Sequence, residues 1–279
     1  MKTLAVQPGE IIIDASTPGA ISSLRSVWEY RDLLRLFTRR EIQLRYKQTA
    51  VGISWAILQP LLIMLVLAAF ASRIGVRTGR VPYPLFSISG LIPWMYFTHA
   101  LTKTTFSLVS EGGMMTRIYF PRLLLPLAAA AGGAGDFFAA ALLLPFFMLY
   151  YGVRPAANLI ALPLFAVMAL AAALAIGIWL AVINVRYRDA GNVLPFLTQL
   201  LFFATPIVYP ATLISEPWRT VAGLNPMFGV VEGFQWAIFG VNSSGLHWSI
   251  AVSAGAILGA LGSGVLFFCR QESVFTDSL

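Results

Sequence analysis

The sequence predicts an all-α polytopic membrane protein, on three observations. Hydrophobic residues make up 58% of its 279 positions and charged residues only 11%, against the roughly 25% charge of typical soluble domains. Six apolar stretches are each long enough to cross about 30 Å of hydrocarbon at about 1.5 Å per residue. The 19 Lys and Arg residues, finally, are shared unevenly between the connecting loops.

The expected spans are residues 52–72, 84–105, 123–152, 157–184, 193–213 and 248–269. The second carries His99 and Lys103 near one end, and the third carries Asp136 in its middle. A single domain, 48–279, holds all six; a helix at 27–47 and a tail at 1–26 precede it. An even number of spans puts both termini on one side. Placing them in the cytoplasm leaves fourteen cations inside and five outside, the direction that retention of Lys and Arg in cytoplasmic loops favours. The loop with Arg73, Arg77 and Arg80 runs against it. The net charge of +7 is therefore mostly a topology signal, and a nucleic-acid partner is not expected, since that needs clustered cations on a soluble surface. Ile11, Ile12 and Ile13 form the sole apolar run before the helix, so the first span is expected to direct insertion itself. The single Cys269 cannot form an internal disulfide and is expected to be a packed thiol.

Residues 27–47 form an amphipathic pattern. At about 100° per residue Val27, Tyr30, Leu33, Leu34, Phe37 and Leu44 share one arc, while Arg31, Arg35 and Arg39 share another. Such a helix lies in the membrane interface with its cations among water and lipid phosphates. Periodicity leaves two roles open, a topology anchor held by anionic lipid and a partner-binding surface.

The connections and irregular spans carry further signals. In "SEGGMMTRIYFPR" Gly112 and Gly113 release one helix and Pro121 stops the next. A short cytoplasmic helix ending in aromatics beside Arg117 and Arg122 is expected there; it is either a protein-protein socket or a loop folded back on the bundle. "NVRYRDAGNV" makes a second compact cytoplasmic turn. Pro195, Pro206 and Pro210 interrupt the fifth span, which needs neighbours or water to satisfy the freed carbonyls. The apolar segment 215–240 is broken by Pro217, Pro226 and glycines into pieces too short to cross, so a re-entrant or interfacial hairpin on the outer side is expected. Asp136 is costly in mid-span; Gly132, Gly133 and Gly135 beside it permit close helix approach, which favours a structural hydrogen bond over a proton site. Gly255, Gly259 and Ser263 form a small-residue stripe, expected to pack within the subunit.

Some chemistry has no motif here. The sequence contains no G-x-x-x-x-G-K-[ST] phosphate loop, no H-E-x-x-H, no Cys/His cluster and no G-x-S-x-G elbow. No metal site and no catalytic residue is expected, which leaves transport as the leading class. A membrane acyl- or glycosyltransferase using His99, Lys103 and Asp136 is the alternative from another class.

Five stretches in order, "RREIQLRYKQTAVGISWAILQPLL", "SISGLIPWMYF", "RIYFPRLLLPLAAA", "VRYRDAGNVLPFLTQLLFFATPIVYP" and "LNPMFGVVEGFQ", resemble the membrane subunit of ATP-binding-cassette polysaccharide exporters. That class exports O-antigen, capsule or teichoic acid, and the resemblance runs from about residue 27 to the C-terminus. It implies a homodimer of six-span subunits in a bacterial cytoplasmic membrane, with both termini cytoplasmic and two ATPase subunits docked inside. It implies no cofactor in this chain, since ATP and magnesium belong to the partner, and a lipid-linked glycan as substrate. The implied ATPase contacts are Arg39 and Arg40 of the interface helix, Met114, Met115, Arg117, Tyr119, Phe120 and Arg122 of the main coupling segment, and Arg186, Arg188 and Asp189. Residues 215–240 become the outer re-entrant hairpin, and Asp136 takes a family-wide structural role. Trp94, Tyr96, Phe97, Phe202, Phe203 and Tyr209 are the candidate channel lining, because sugar rings stack on aromatic faces. A related drug or small-lipid efflux permease is the nearest alternative within the transporter class.

Overall fold

The computed structural model describes residues 20–47, 52–76, 78–79, 81–115, 120–187, 189–215, 218–241 and 245–271. They are helical throughout, with no strand among them. Four segments are long and apolar enough to cross a membrane: Ser54–Ile74, Leu124–Tyr150, Ala157–Arg186 and Leu246–Gln271.

The helix expected at 27–47 begins earlier and is divided at Tyr30 into α1, Ala20–Glu29, and α2, Arg31–Tyr46. The first apolar span is α3, Ser54–Ile74, and the next helix is α4, Tyr83–Ser110. At 28 residues α4 is long enough to cross, yet its Ser, Thr and Pro residues with His99 and Lys103 make it less apolar than the four. Protein surrounds it: Leu85, Ile88, Leu91, Phe97, Leu101 and Leu108 are all fully buried. A four-residue helix, α5, Gly112–Met115, follows.

The third expected span is three helices in file: α6, Leu124–Ala131; α7, Ala134–Ala141; and α8, Leu143–Tyr150. A 3-10 turn, Ala157–Ala161, leads into α9, Leu162–Arg186. Helices α4 and α9 run side by side in the same direction, so close that a Cβ on Gly177 would lie 2.6 Å from Thr104. Nearer their C-terminal ends, Asn184 Nδ2 donates to the Thr105 carbonyl at 3.4 Å.

The fifth expected span is helical only as α10, Ala190–Ala204, whose 15 residues reach about 22 Å. The cause is local. Thr205 precedes Pro206, which disfavours the helical region for it, and it is extended at φ −103°, ψ 140°. The irregular backbone that follows is held by protein: Tyr83 donates to the Val208 carbonyl at 2.9 Å, Asn225 Nδ2 to Thr205 Oγ1 at 2.9 Å, and Gln235 Nε2 to the Pro206 carbonyl at 3.2 Å. Non-helical backbone at membrane depth is tolerated under that condition.

Segment 215–240 contains α11, Trp218–Gly223, and α12, Pro226–Phe239. Asn225 caps α12 through the Met227 N–H at 3.1 Å, with Pro226 in the first turn where its missing donor costs nothing. Helix α12 is almost wholly buried beside the N-terminal ends of α4 and α9, the end of the bundle opposite α2. The last helix, α13, Leu246–Gln271, packs on α12 and α9. A Cβ on Gly229 would come within 2.6 Å of the Ser249 carbonyl, so glycine sets the α12–α13 separation. The expected packing of the Gly255, Gly259 and Ser263 stripe within the subunit is corrected: a Cβ added at either glycine would meet no neighbouring element within 4 Å among the described residues, and all three positions are exposed, so the stripe faces away from the subunit's own core. Cys269 is buried, as expected.

Candidate functional site: a polar and aromatic cavity beside helix α2

Helix α2 is held on the bundle by one face. Phe37 is buried and meets the Phe120 ring edge-on at 5.5 Å, and Leu33 and Leu34 are half-buried on the core. The charges on that face reach across to other helices. Arg40 Nη1 bonds Glu111 Oε2 at 3.0 Å, and Lys103 Nζ lies 3.8 Å from Glu41 Oε2. Arg45 pairs with the Asp136 carboxylate and also donates to His99 Nε2. A guanidinium offers only donors, so Nε2 must be the accepting nitrogen of that imidazole.

The glycines before Asp136 make this docking possible. A Cβ on Gly132 would lie 2.9 Å from Glu41 Cβ, and one on Gly133 would overlap the His99 ring. His99 Nδ1, which faces Gly133, finds no hydrogen-bond partner among the described residues. The opposite face of α2 is exposed: Arg35 pairs with Asp32 at 2.9 Å, Arg31 lies over the Trp28 ring at 5.9 Å, and Arg39 projects outward. The amphipathic arc is thus confirmed at Phe37, Leu33 and Leu34, but Tyr30 and Leu44 are exposed.

Arg45, His99 and Asp136 line one end of a cavity of about 730 Å³. Its walls come from α3, α4, α7 and α10: Trp55 and Gln59; Trp94, Tyr96, Thr98 and Thr102; Phe137; Thr198, Gln199, Phe202 and Phe203. The rings interlock, with Trp94 edge-on to Phe202 at 5.6 Å and Tyr96 beside Phe137 at 5.1 Å. Such a surface combines flat apolar faces with amide and hydroxyl groups. That combination suits a ligand with both kinds of surface, such as a sugar ring.

Of the six aromatics expected to line a path, Trp94, Tyr96, Phe202 and Phe203 line this cavity. Phe97 stands behind the wall, fully buried against Trp94. Tyr209 lies beyond α10 and donates its hydroxyl to the Phe203 carbonyl at 2.9 Å. Asp136, expected as an intramembrane polar group, is in the cavity and paired. Among the expected partner contacts, Phe120 is buried on α2, Arg122 is half-buried, and Arg186 and Asp189 are exposed at the junction of α9 and α10. Arg117, Tyr119 and Arg188 lie outside the described residues, as do the side chains of Met114 and Met115.

Sequence reasoning missed Arg45 as a site residue and counted it only as a topology cation. The signal was present: at about 100° per residue Glu41 falls about 40° and Arg45 about 80° from Phe37. Charges on or beside an apolar arc need partners on whatever that arc packs against. Among the described residues no group of three or more His, Cys, Asp or Glu is placed to hold a metal ion.

The polar cavity, the helices around it and all but the first residue of the docked α2 fall within residues 32–239, which match the family model described as ABC-2 type transporter. The chain belongs to the ABC-2 type transporter family. Its curated relatives include the O-antigen export system permease protein RfbA of Myxococcus xanthus, 27% identical over 93% of this chain and 100% of the relative. A protein of the same name from Klebsiella pneumoniae is 27% identical over 72% of this chain and 77% of its own length. The polysialic acid transport protein KpsM of Escherichia coli is 26% identical over 85% of this chain and 93% of the relative. Membership places the cavity in a transport subunit rather than in a transferase.

Proposed function

We propose that this ABC-2 chain is the permease subunit of an exporter that moves a lipid-linked polysaccharide outward across a bacterial cytoplasmic membrane. The observation that carries the reading is the end-to-end similarity to permeases named for O-antigen export. The aromatic and amide-lined cavity supports it with a surface that suits sugar rings.

In this reading α4 and α10 complete a six-span set with the four apolar helices. Helix α4 crosses inside a protein sheath, and α10 crosses with the help of the anchored turn after Thr205. The termini, α2 and the segment around α5 lie in or near the cytoplasm, because the majority of cations do. The hairpin of α11 and α12 re-enters from the outer side and stops the bundle at the far end from α2. Two copies form the transporter, and two ATPase subunits, binding ATP and magnesium, dock at residues 114–120 and at the α9–α10 junction. Arg40 acts there through its bond to Glu111 and Phe120 through its contact with Phe37; Arg39 and Arg186 are exposed for direct contact.

The purified chain is expected to hydrolyse no ATP, and affinity purification from its own cells is expected to recover a separate ATPase. Steady ATP turnover by the chain alone, surviving removal of all contaminating ATPase, would overturn the two-subunit reading.

A further inference from the structure

Next to the aromatic cavity lies a second, smaller one of about 300 Å³ between α2, the C-terminal half of α4 and α6. Its walls include Arg40, Glu41, Lys103, Ser107, Ser110 and Glu111, so it is polar where the first is aromatic. It lies at the α2 end of the bundle. Among the described residues Arg45 is the one side chain that lines both cavities.

We propose that Arg45 is a gate between the two, held closed by Asp136 and His99. Three observations converge on this. The guanidinium stands at the boundary and is bonded to both groups, which belong to two other helices, α7 and α4. The backbone is shaped for the bond, since Gly133 leaves room for the His99 ring and Gly132 for Glu41. The helix that carries Arg45 also holds Glu111, the residue before α5, through Arg40, and Phe120 through Phe37. A displacement of α5 or of Phe120 therefore pulls on α2, and with it on the Arg45 bond. The inference rests on the exporter reading for what passes the gate, the hydrophilic head of an amphiphile, but not for the gate's existence. Arg45 and Asp136 are positioning residues here: they set which arrangement of α2 is stable.

The test reads access rather than export. A cysteine is placed at Thr198 in the aromatic cavity, in a Cys269→Ser background, and labelled with a charged, membrane-impermeant maleimide in inverted vesicles of the assembled transporter. Without nucleotide, Asp136→Asn and Arg45→Ala are expected to label about tenfold faster than the parent, the factor that ~1.4 kcal/mol in an open–closed equilibrium makes. Arg45→Lys, which keeps the charge, is expected to stay nearer the parent. The exchange Arg45→Asp with Asp136→Arg is expected to restore slow labelling, which a merely misfolded variant would not do. Equal rates in parent and single variants at equal protein level, or fast labelling in the exchanged pair, would overturn the gate. Adding ATP is expected to speed labelling of the parent; if the variants behave as expected and ATP changes nothing, the gate stands and the ATPase-coupled reading fails.

Discussion

Glu232→Ala is expected to cost about 3–5 kcal/mol of stability, the range found when one partner of a buried ion pair is removed. Arg219 on α11 and Glu232 on α12 are 4% and 5% exposed and bonded to one another. Alanine would remove the carboxylate bonded to the buried Arg219 guanidinium, and withdrawing a bonded counter-charge from a buried cation costs more than the pair itself does. The consequence reaches further than α12. Arg219 also lies about 3.5 Å from where a Cβ on Gly245 would sit, at the turn that starts α13. The measurement is the midpoint of thermal unfolding in detergent, followed by loss of the monodisperse peak. Glu232→Ala should fall well below the parent, and Arg219→Met with Glu232→Leu, which removes both charges and keeps volume, should recover much of the loss. A Glu232→Ala protein as stable as the parent would mean that the pair does not hold α11 on α12.

Phe203→Ala is expected to lower export by about fivefold or more while leaving the amount of protein in the membrane unchanged. The side chain is 61% exposed, so truncation removes little of the core. It nevertheless lines the aromatic cavity beside Phe202, where losing one ring face in contact with a sugar is worth ~1 kcal/mol. Phe146→Ala on α8 is the matched comparison: it is 63% exposed and lines neither the aromatic nor the smaller polar cavity. Surface glycan per unit of membrane protein distinguishes them. Equal export in the two variants would remove Phe203 from the path.

The parts of the fold visible in the sequence were those encoded over short distances. Unbroken apolar runs announced α3, α9 and α13. Pro206 and Pro210 announced an irregular fifth span, though not that the helix would end at Ala204 and leave the turn pinned by Tyr83, Asn225 and Gln235. The dependence of α4 on its protein sheath was hidden, because hydropathy measures fitness for lipid and not for the centre of a bundle. The same holds for the site. Trp94, Tyr96, Phe202 and Phe203 were readable as an aromatic set, and Asp136 as a carboxyl in need of a partner. The partner, Arg45, was not, since a pattern within one helix does not say which distant helix it will meet. Small-residue spacing was ambiguous for a related reason: Gly132 receives α2 and Gly133 the His99 ring of α4, whereas Gly255 and Gly259 face away from the core, and the two pairs look alike in one dimension.

The most direct measurement of the central claim is a clean deletion of this chain in its own cell, followed by the location of lipid-linked glycan. The account predicts that the glycan disappears from the cell surface and accumulates, still lipid-linked, on the cytoplasmic side, with export restored by the parent chain. Normal surface glycan after deletion, in a strain shown to have no second exporter, would contradict it.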